Sequence, residues 1–353
     1  MTKAALRPPR MKAVKWFGPR DMRMVEVETA VPKPHEALVR VESVGVCGSD
    51  LHYYEEGRIG DTAITEPLIL GHECAGVVEE VGAEADRSLV GRRVAVEPSI
   101  PCLKCEWCRM GHYNVCRDLF FPGLPPHDGV LREYVAVHAE FCFPVPESMR
   151  PAVAATIEPV AVAVHTVELA HIKPGETAAI LGLGPIGLLT AQVAKLSGIG
   201  YLFGTDLLDY RAEAGKKCGV DYSFNAHTQD TVETILRETN GRGVDVAFDT
   251  ARSSETPALA CKVARPAGRC VFTGISGADN DPIPVNVARR KELTVQWCRR
   301  FRHDFPRAIA LVASGKIDVD LLLTHSFSLE QTQDAFELVS RAQDNVLKAA
   351  IEL

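Results

Sequence analysis

Four cysteines, Cys102, Cys105, Cys108 and Cys116, fall within fifteen residues of one another. Thiolates at that density can close a tetrahedral zinc shell and leave no position for substrate, which makes the metal structural rather than reactive. Gly111 stands where the chain must turn between the third and fourth of them. The alternative is four free thiols in a loop, but thiols this close in a chain without a disulfide framework are most often ligands. A second candidate set is dispersed: Cys47-Gly-Ser49-Asp50-Leu-His52, then Gly71-His72-Glu73, then Glu158-Pro159. One thiolate, one imidazole and carboxylates can hold zinc and keep a coordination position open for a substrate oxygen. No spacing rule joins positions so far apart. Taken singly, Cys47 reads as a small buried hydrophobe and His72 as a satisfied core histidine.

A third pattern points to a dinucleotide. Gly182-Leu-Gly184-Pro185-Ile186-Gly187 follows the strand-like run Thr177–Leu181 and opens a helical pattern, and Asp206 stands nineteen residues beyond Gly187. The glycine motif alone is weak; with a strand before it, a helix after it and an acid at about 20 residues it becomes strong. Gly182 permits the tight turn, Gly184 lets a pyrophosphate approach the backbone, and Gly187 lets helix and strand pack closely. Pro185 and Ile186 begin the helix whose free N–H groups face the phosphates. The Asp206 carboxylate can accept from both ribose hydroxyls and would repel a 2'-phosphate, so NAD is expected over NADP. Arg211 could cover the adenine, or reach a 2'-phosphate and weaken that preference.

The elements that must carry these residues change character along the chain. Up to about Val160 there are short strand-like runs such as Ala37–Val44, Gly76–Val81 and Arg93–Glu97, divided by Gly, Pro and Asp. From Ala161 to Cys298, strand patterns at Thr177–Leu181, Tyr201–Thr205, Tyr222–Asn225, Val244–Asp249, Arg269–Thr273 and Leu293–Trp297 alternate with helical ones such as Pro185–Ser197 and Arg211–Cys218. That alternation predicts an α/β domain with a doubly wound parallel sheet. Helices are expected at Pro306–Ser314 and Glu330–Arg341, in a tail that folds back onto the first domain. The expected division is residues 1–160 with 299–353 in one domain and 161–298 in the other.

Composition bounds the rest. A chain of 353 residues suits two cores rather than one. The formal charge of −7 lacks the footprint of a nucleic-acid binder. Apolar runs such as Thr177–Leu183 are interrupted by Gly and Pro, so no membrane span is expected. Residues 1–10, MTKAALRPPR, lack the apolar stretch of a secretory signal and read as a flexible extension, with folded chain from near Met11. Eleven cysteines, an odd number, suit a reducing compartment. A cytoplasmic location is therefore expected.

Together, Cys47 to His52, Gly71-His72-Glu73, the four-cysteine lobe and Gly182 to Gly187 make the chain resemble the zinc-containing medium-chain alcohol dehydrogenase family, over nearly its whole length from Met11. Within it, His52-Tyr-Tyr54, Gly57-Arg-Ile-Gly60, Phe120-Phe121, Pro125-Pro-His-Asp-Gly129, Ile157-Glu-Pro159 and Pro306-Arg-Ala-Ile309 are similar to sorbitol (L-iditol), xylitol and arabinitol dehydrogenases. The resemblance implies a GroES-like, β-rich catalytic domain beside a Rossmann domain. It implies two zinc ions per chain, NAD, and oxidation of a secondary alcohol of a small-molecule polyol to a ketose. It assigns the catalytic zinc to Cys47, His72 and Glu73, with Glu158 beside the metal as ligand or through a water. Ser49, His52 and Glu158 become the proton-handling residues, Asp50 the partner that orients the histidine ligand, and Tyr53, Phe121 and Arg300 the substrate contacts. A homotetramer or homodimer, joined partly through edges of the nucleotide domain, is also implied.

One departure stands out. The family's Arg-Tyr followed by Cys or Ala and Asn reads here Arg299-Arg300-Phe301-Arg302-His303, which leaves open the arginine that faces substrate. The competing readings are 2,3-butanediol or L-threonine dehydrogenase of the same fold, a zinc-free quinone reductase, and a nucleotide-binding protein without turnover.

Overall fold

Between Thr177 and Trp297, strands alternate with helices and join one sheet, whose central strands are buried on both faces. Val244–Asp249 is buried at every position, as a central strand between two helical layers must be. In the computed structural model, which describes residues 7–353, all six strands are parallel. Their order is Tyr222–Asn225, Tyr201–Asp206, Thr177–Leu181, Val244–Asp249, Ala264–Phe272 and Thr294–Trp297. Chain order reverses on either side of Thr177–Leu181, which creates the crevice at the strand ends where such sheets bind ligands. Leu181 pairs with Thr205 on one side and Asp249 on the other, so Gly182 and Asp206 emerge at the same end. The strands expected at Thr177–Leu181, Tyr222–Asn225 and Val244–Asp249 have those bounds. Ala264–Phe272 begins five residues before the expected Arg269, because a register shift between Val244 and Val246 lets Ala264 pair early.

The earlier part of the chain, with its C-terminal end, builds a seven-stranded sheet. Its order is Cys142–Pro144, Arg93–Val96, Glu73–Val81, Glu36–Gly45, Lys348–Glu352 and Leu323–Ser328, with Tyr134–His138 also on Glu36–Gly45. Alternating apolar side chains such as Val39, Val41, Val78, Val94 and Ile351 fill its core. A smaller sheet of Asp21–Glu28, Arg10–Gly18 and Leu68–Ile69 adds Ala13, Val14 and Trp16 to the same core.

The chain divides into two compact units: the chain up to Met110 with Cys116–Glu158 and Leu323–Leu353, and Gly111–Val115 with Pro159–Leu322. This corrects the expected boundary at Arg299, since Arg299–Leu322 groups with the parallel sheet. Phe301 and Phe305 are fully buried with ring centroids 5.2 Å apart. Gln192 exchanges two hydrogen bonds with the Asp318 backbone, at 3.1 and 2.7 Å. The expected extension is corrected in part as well. Strand pairing begins at Arg10, Pro9 accepts from Thr29 N at 3.1 Å, and Arg7 pairs with Glu80 at 2.6 Å. Residues 1–6 lie outside the described residues. Pro151–Leu169, nineteen residues, is long and apolar enough to cross a membrane by length and composition, contrary to the reading of short apolar runs. Its apolar window is 78% buried in protein, as for the core helix of a globular domain.

Candidate functional site

Cys47 stands just before the helix Gly48–Glu56, His72 and Glu73 enter the strand Glu73–Val81, and Glu158 lies in the first turn of the helix Ile157–Leu169. The ligand atoms of Cys47, His72 and Glu73 lie within 4.8 Å of one another. Glu158 is buried nearby and stands outside that closest group. Burial pushes its carboxyl up to about 7, with His72 opposing and Glu73 adding to the rise. Asp50 does two jobs. One oxygen lies 3.2 Å from His72 Nδ1, and the other accepts from the Cys47 backbone N–H at 3.3 Å. The first contact fixes the ring and leaves Nε2 for a metal. Burial opposes charge on His72, but Asp50 and Cys47 outweigh it and raise its pKa well above the usual range. A bound cation would take that proton's place. Ser49 Oγ donates to Cys47 Sγ at 3.4 Å. The Phe121 ring lies 5.2 Å from that of His72, and His52 and Tyr53 are buried on the helix Gly48–Glu56.

The structure adds a residue that the sequence analysis missed. Lys348 is almost fully buried, pairs with Glu73 Oε2 and donates to Val46 O at 3.0 Å. Burial works against its charge, and Glu73 more than compensates. Gly45 is required beside this pair, since a Cβ there would stand 2.1 Å from Glu73 Oε2. The visible signal was a lone lysine in the apolar run Val346 to Ile351; a charge inside such a run needs a partner. A thiol, an imidazole and a carboxylate whose charge is already shared with a lysine form a donor set that suits zinc.

The other four cysteines also converge. Cys105 Sγ lies 3.4 Å from Cys108 Sγ and 3.9 Å from Cys116 Sγ, and Cys102 Sγ lies 4.0 Å from Cys108 Sγ. The backbone N–H of Cys108 heads the interactions that draw the Cys105 thiol down to about 7, whereas burial and neighbouring sulfurs push Cys108 up to about 12. Four thiols so close cannot all ionise without a cation among them, which is the chemistry of a closed zinc cage. Gly111 turns the chain with φ 82°.

At the end of Thr177–Leu181, Gly182 has φ 99°, where a Cβ would meet the Ala251 backbone at 2.9 Å. A Cβ on Gly187 would stand 1.9 Å from Gly182 O, so this helix and turn can approach only through glycine. Around Gly184 there is open space, and Pro185 and Ile186 follow it in the first turn of the helix Pro185–Leu196. Asp206 accepts from Leu183 N at 2.8 Å and Leu208 N at 3.1 Å, with Arg211 Nη1 3.7 Å away.

Of the three arginines left open, Arg302 directs its guanidinium to His112 Nδ1. Arg299 is exposed, and Arg300 is half-buried with a left-handed backbone, φ 56°. Phe301, at the position where the family has tyrosine, faces the core. Tyr53 and Phe121 belong to the first unit and Arg300 to the second. His165, Glu168 and Asp304 form a third group with donor atoms within 4.8 Å, but there Glu168 is paired with Arg307 and Asp304 accepts from Arg302 N at 3.0 Å.

Residues 33–147 match the family described as alcohol dehydrogenase GroES-like domain, and residues 185–314 match that described as zinc-binding dehydrogenase. Sorbitol dehydrogenase of Bacillus subtilis (strain 168) is 39% identical over 98% of this chain and 98% of its own length. D-xylulose reductase A of Aspergillus oryzae is 37% identical over 86% of each chain. Among solved structures, a short chain alcohol dehydrogenase from E. coli CFT073 complexed with NADH superposes with a TM-score of 0.90 at 29% identity, covering 98% of this chain and all of that one.

Proposed function

Because the chain belongs to the zinc-containing medium-chain dehydrogenase/reductase family, in its sorbitol- and xylitol-dehydrogenase-like branch, we propose that it oxidises a secondary alcohol of a sugar alcohol to a ketose with zinc and NAD. The observation that carries this reading is the convergence of Cys47, His72 and Glu73 around one point, with Asp50 orienting the imidazole.

Cys47, His72 and Glu73 would hold the catalytic zinc, and Cys102, Cys105, Cys108 and Cys116 a structural one. When bound, zinc supplies Lewis acidity and NAD supplies the hydride acceptor. The protein supplies position and a proton path. Ser49, whose hydroxyl already touches Cys47 Sγ, passes the substrate proton outward with His52, and Glu158 offers a second acceptor. Phe121 keeps apolar surface against His72. Tyr53 and Arg300 hold the remaining hydroxyls of the polyol, and such pairing discriminates strongly against alcohols that lack them. The free N–H groups behind Gly182, Gly184 and Gly187 receive the pyrophosphate, and Asp206, with Arg211 beside it, selects NAD over NADP.

A homodimer or homotetramer fits the parallel sheet, whose outer strand Thr294–Trp297 leaves an edge to be paired and ends in Trp297, 64% exposed.

The test is NAD reduction with sorbitol, xylitol, galactitol, arabinitol, 2,3-butanediol and threonine, with metal analysis of the same preparation. Turnover of polyols and two zinc ions per chain are expected. Turnover confined to butanediol or threonine overturns the substrate class. Fully active protein carrying only the sulfur-caged metal overturns the mechanism. Asp206→Ser should shift the ratio of kcat/KM for NAD and NADP toward NADP; an unchanged ratio removes Asp206 from its role.

A further inference from the structure

The chain between the strand Thr294–Trp297 and the helix Phe305–Ala313 contains two non-glycine residues in the left-handed region, Arg300 at φ 56° and His303 at φ 58°. Such backbone persists only where its surroundings over-determine it. Here the surroundings are specific. Arg299 O accepts from Asn114 Nδ2 at 2.8 Å. His303 N donates to Tyr113 Oη at 2.7 Å, and the two rings meet edge to face with centroids 4.8 Å apart. The Arg302 guanidinium reaches His112 Nδ1. Within the loop, Arg302 N donates to Asp304 Oδ2 at 3.0 Å and the Cys298 thiol, held protonated by burial that pushes it up to about 11, donates to Arg300 O at 3.5 Å.

Four of these contacts come from the consecutive residues His112, Tyr113 and Asn114. They belong to Gly111–Val115, which groups with this part of the chain, whereas its sequence neighbours Met110 and Cys116 group with the first unit. Tyr113 and Asn114 are buried. Three successive side chains thus grip Arg299, Arg302 and His303, on both sides of Arg300.

We propose that His112, Tyr113 and Asn114 form a clamp that fixes the Arg299–His303 loop and so presents Arg300 to the polyol in one orientation. They are positioning residues: they select substrate through Arg300, without touching it. The stretch of chain between the third and fourth cysteines therefore has a task beyond closing a metal cage. This inference rests on the reading of Arg300 as a substrate contact.

The test uses the full-length, zinc-loaded enzyme with Tyr113→Phe, which removes only the hydroxyl, and Asn114→Leu, which removes the donor. Each should raise KM for the best polyol about five- to tenfold, the worth of one neutral hydrogen bond. Each should leave kcat and KM for NAD within about twofold, below what one lost hydrogen bond would produce. For 2-propanol, which has no further hydroxyl for Arg300 to hold, kcat/KM should not change. Amide exchange of residues 299–303 in substrate-free enzyme should accelerate by a comparable factor. Arg300→Ala is the reference: it should raise polyol KM, and adding Tyr113→Phe should raise it little further. If Arg300→Ala raises KM and the two clamp variants do not, the clamp is overturned and Arg300 keeps its role. If Arg300→Ala leaves KM unchanged, the reading of Arg300 fails, and faster exchange in the loop then marks a structural brace only, which overturns the proposal as well.

Discussion

The two cysteine-bearing donor sets of the first unit are built in opposite ways. Cys102, Cys105, Cys108 and Cys116 are brought together by local chain, around the four-residue helix Glu106–Arg109. Cys47, His72 and Glu73 are brought together by a sheet. Glu73 pairs in register with Gly45, Gly45 also pairs with Ala350, and the next strand end supplies Lys348. A local cage is a staple that can form with its own loop. A set that depends on the register of three strands exists only after the sheet has formed, so its presence reports a requirement of chemistry rather than of folding. The two sets should therefore fail differently.

The largest difference is expected from Cys47→Ser. Turnover should fall by at least about 10³-fold, since Lewis-acid stabilisation contributes several kcal/mol. Bound zinc should fall by one per chain, while binding of NADH, measured by fluorescence, persists. Full activity in this variant would sink the assignment of the reactive metal.

Next in size is Lys348→Met. It leaves the Glu73 carboxylate buried without its ammonium partner, which costs about 3–5 kcal/mol. Urea unfolding of the zinc-loaded protein should show a correspondingly lower midpoint. A midpoint equal to the parent's would mean that the metal alone neutralises Glu73 and that Lys348 is a bystander.

Asp50→Asn should have a smaller effect. Its Oδ1 sets the orientation of His72 and its Oδ2 holds the Cys47 backbone. Replacing such a partner typically costs about 10- to 100-fold in metal affinity or activity. The cage, which Asp50 does not touch, should keep its metal in the same sample; loss of both metals together would show a general loosening of the unit.

The same contrast explains what was legible in the sequence. Local patterns could be read directly. The cage needed only spacing, and the turn from Thr177–Leu181 into Pro185–Leu196 followed from three glycines whose missing Cβ atoms the geometry demands at Gly182 and Gly187. The dispersed set could not be read that way, because the register of Gly45 with Glu73 leaves no trace in spacing; only family resemblance singled it out. Lys348 stood out only as a charge in an apolar run, and its partner Glu73 could not be read for the same reason. The boundary at Arg299 failed because the tail was treated as one piece, whereas the buried Phe301 and Phe305 belong to the unit that holds the parallel sheet and only Leu323–Leu353 returns to the first unit. Long-range pairing decides each of these cases, and periodicity carries no information about it.

Cys105→Ser sharpens the comparison from the other side and should have the smallest effect on chemistry. The cage has no open position, so its loss removes no group from the reacting atoms, and kcat should stay within about threefold of the parent. Stability should fall, because metal binding by four thiolates is folding free energy, and Tm should drop with loss of one zinc per chain. The clamp adds a further expectation. His112, Tyr113 and Asn114 lie between Cys108 and Cys116, so opening the cage frees both ends of the segment that grips the Arg300 loop. KM for the polyol should therefore rise while kcat holds, the same split as in Tyr113→Phe. If Tm falls with kcat and KM both unchanged, the cage is a staple and nothing more. If kcat falls as far as in Cys47→Ser, the two donor sets are not independent, and the division between a folding metal and a reactive one is wrong.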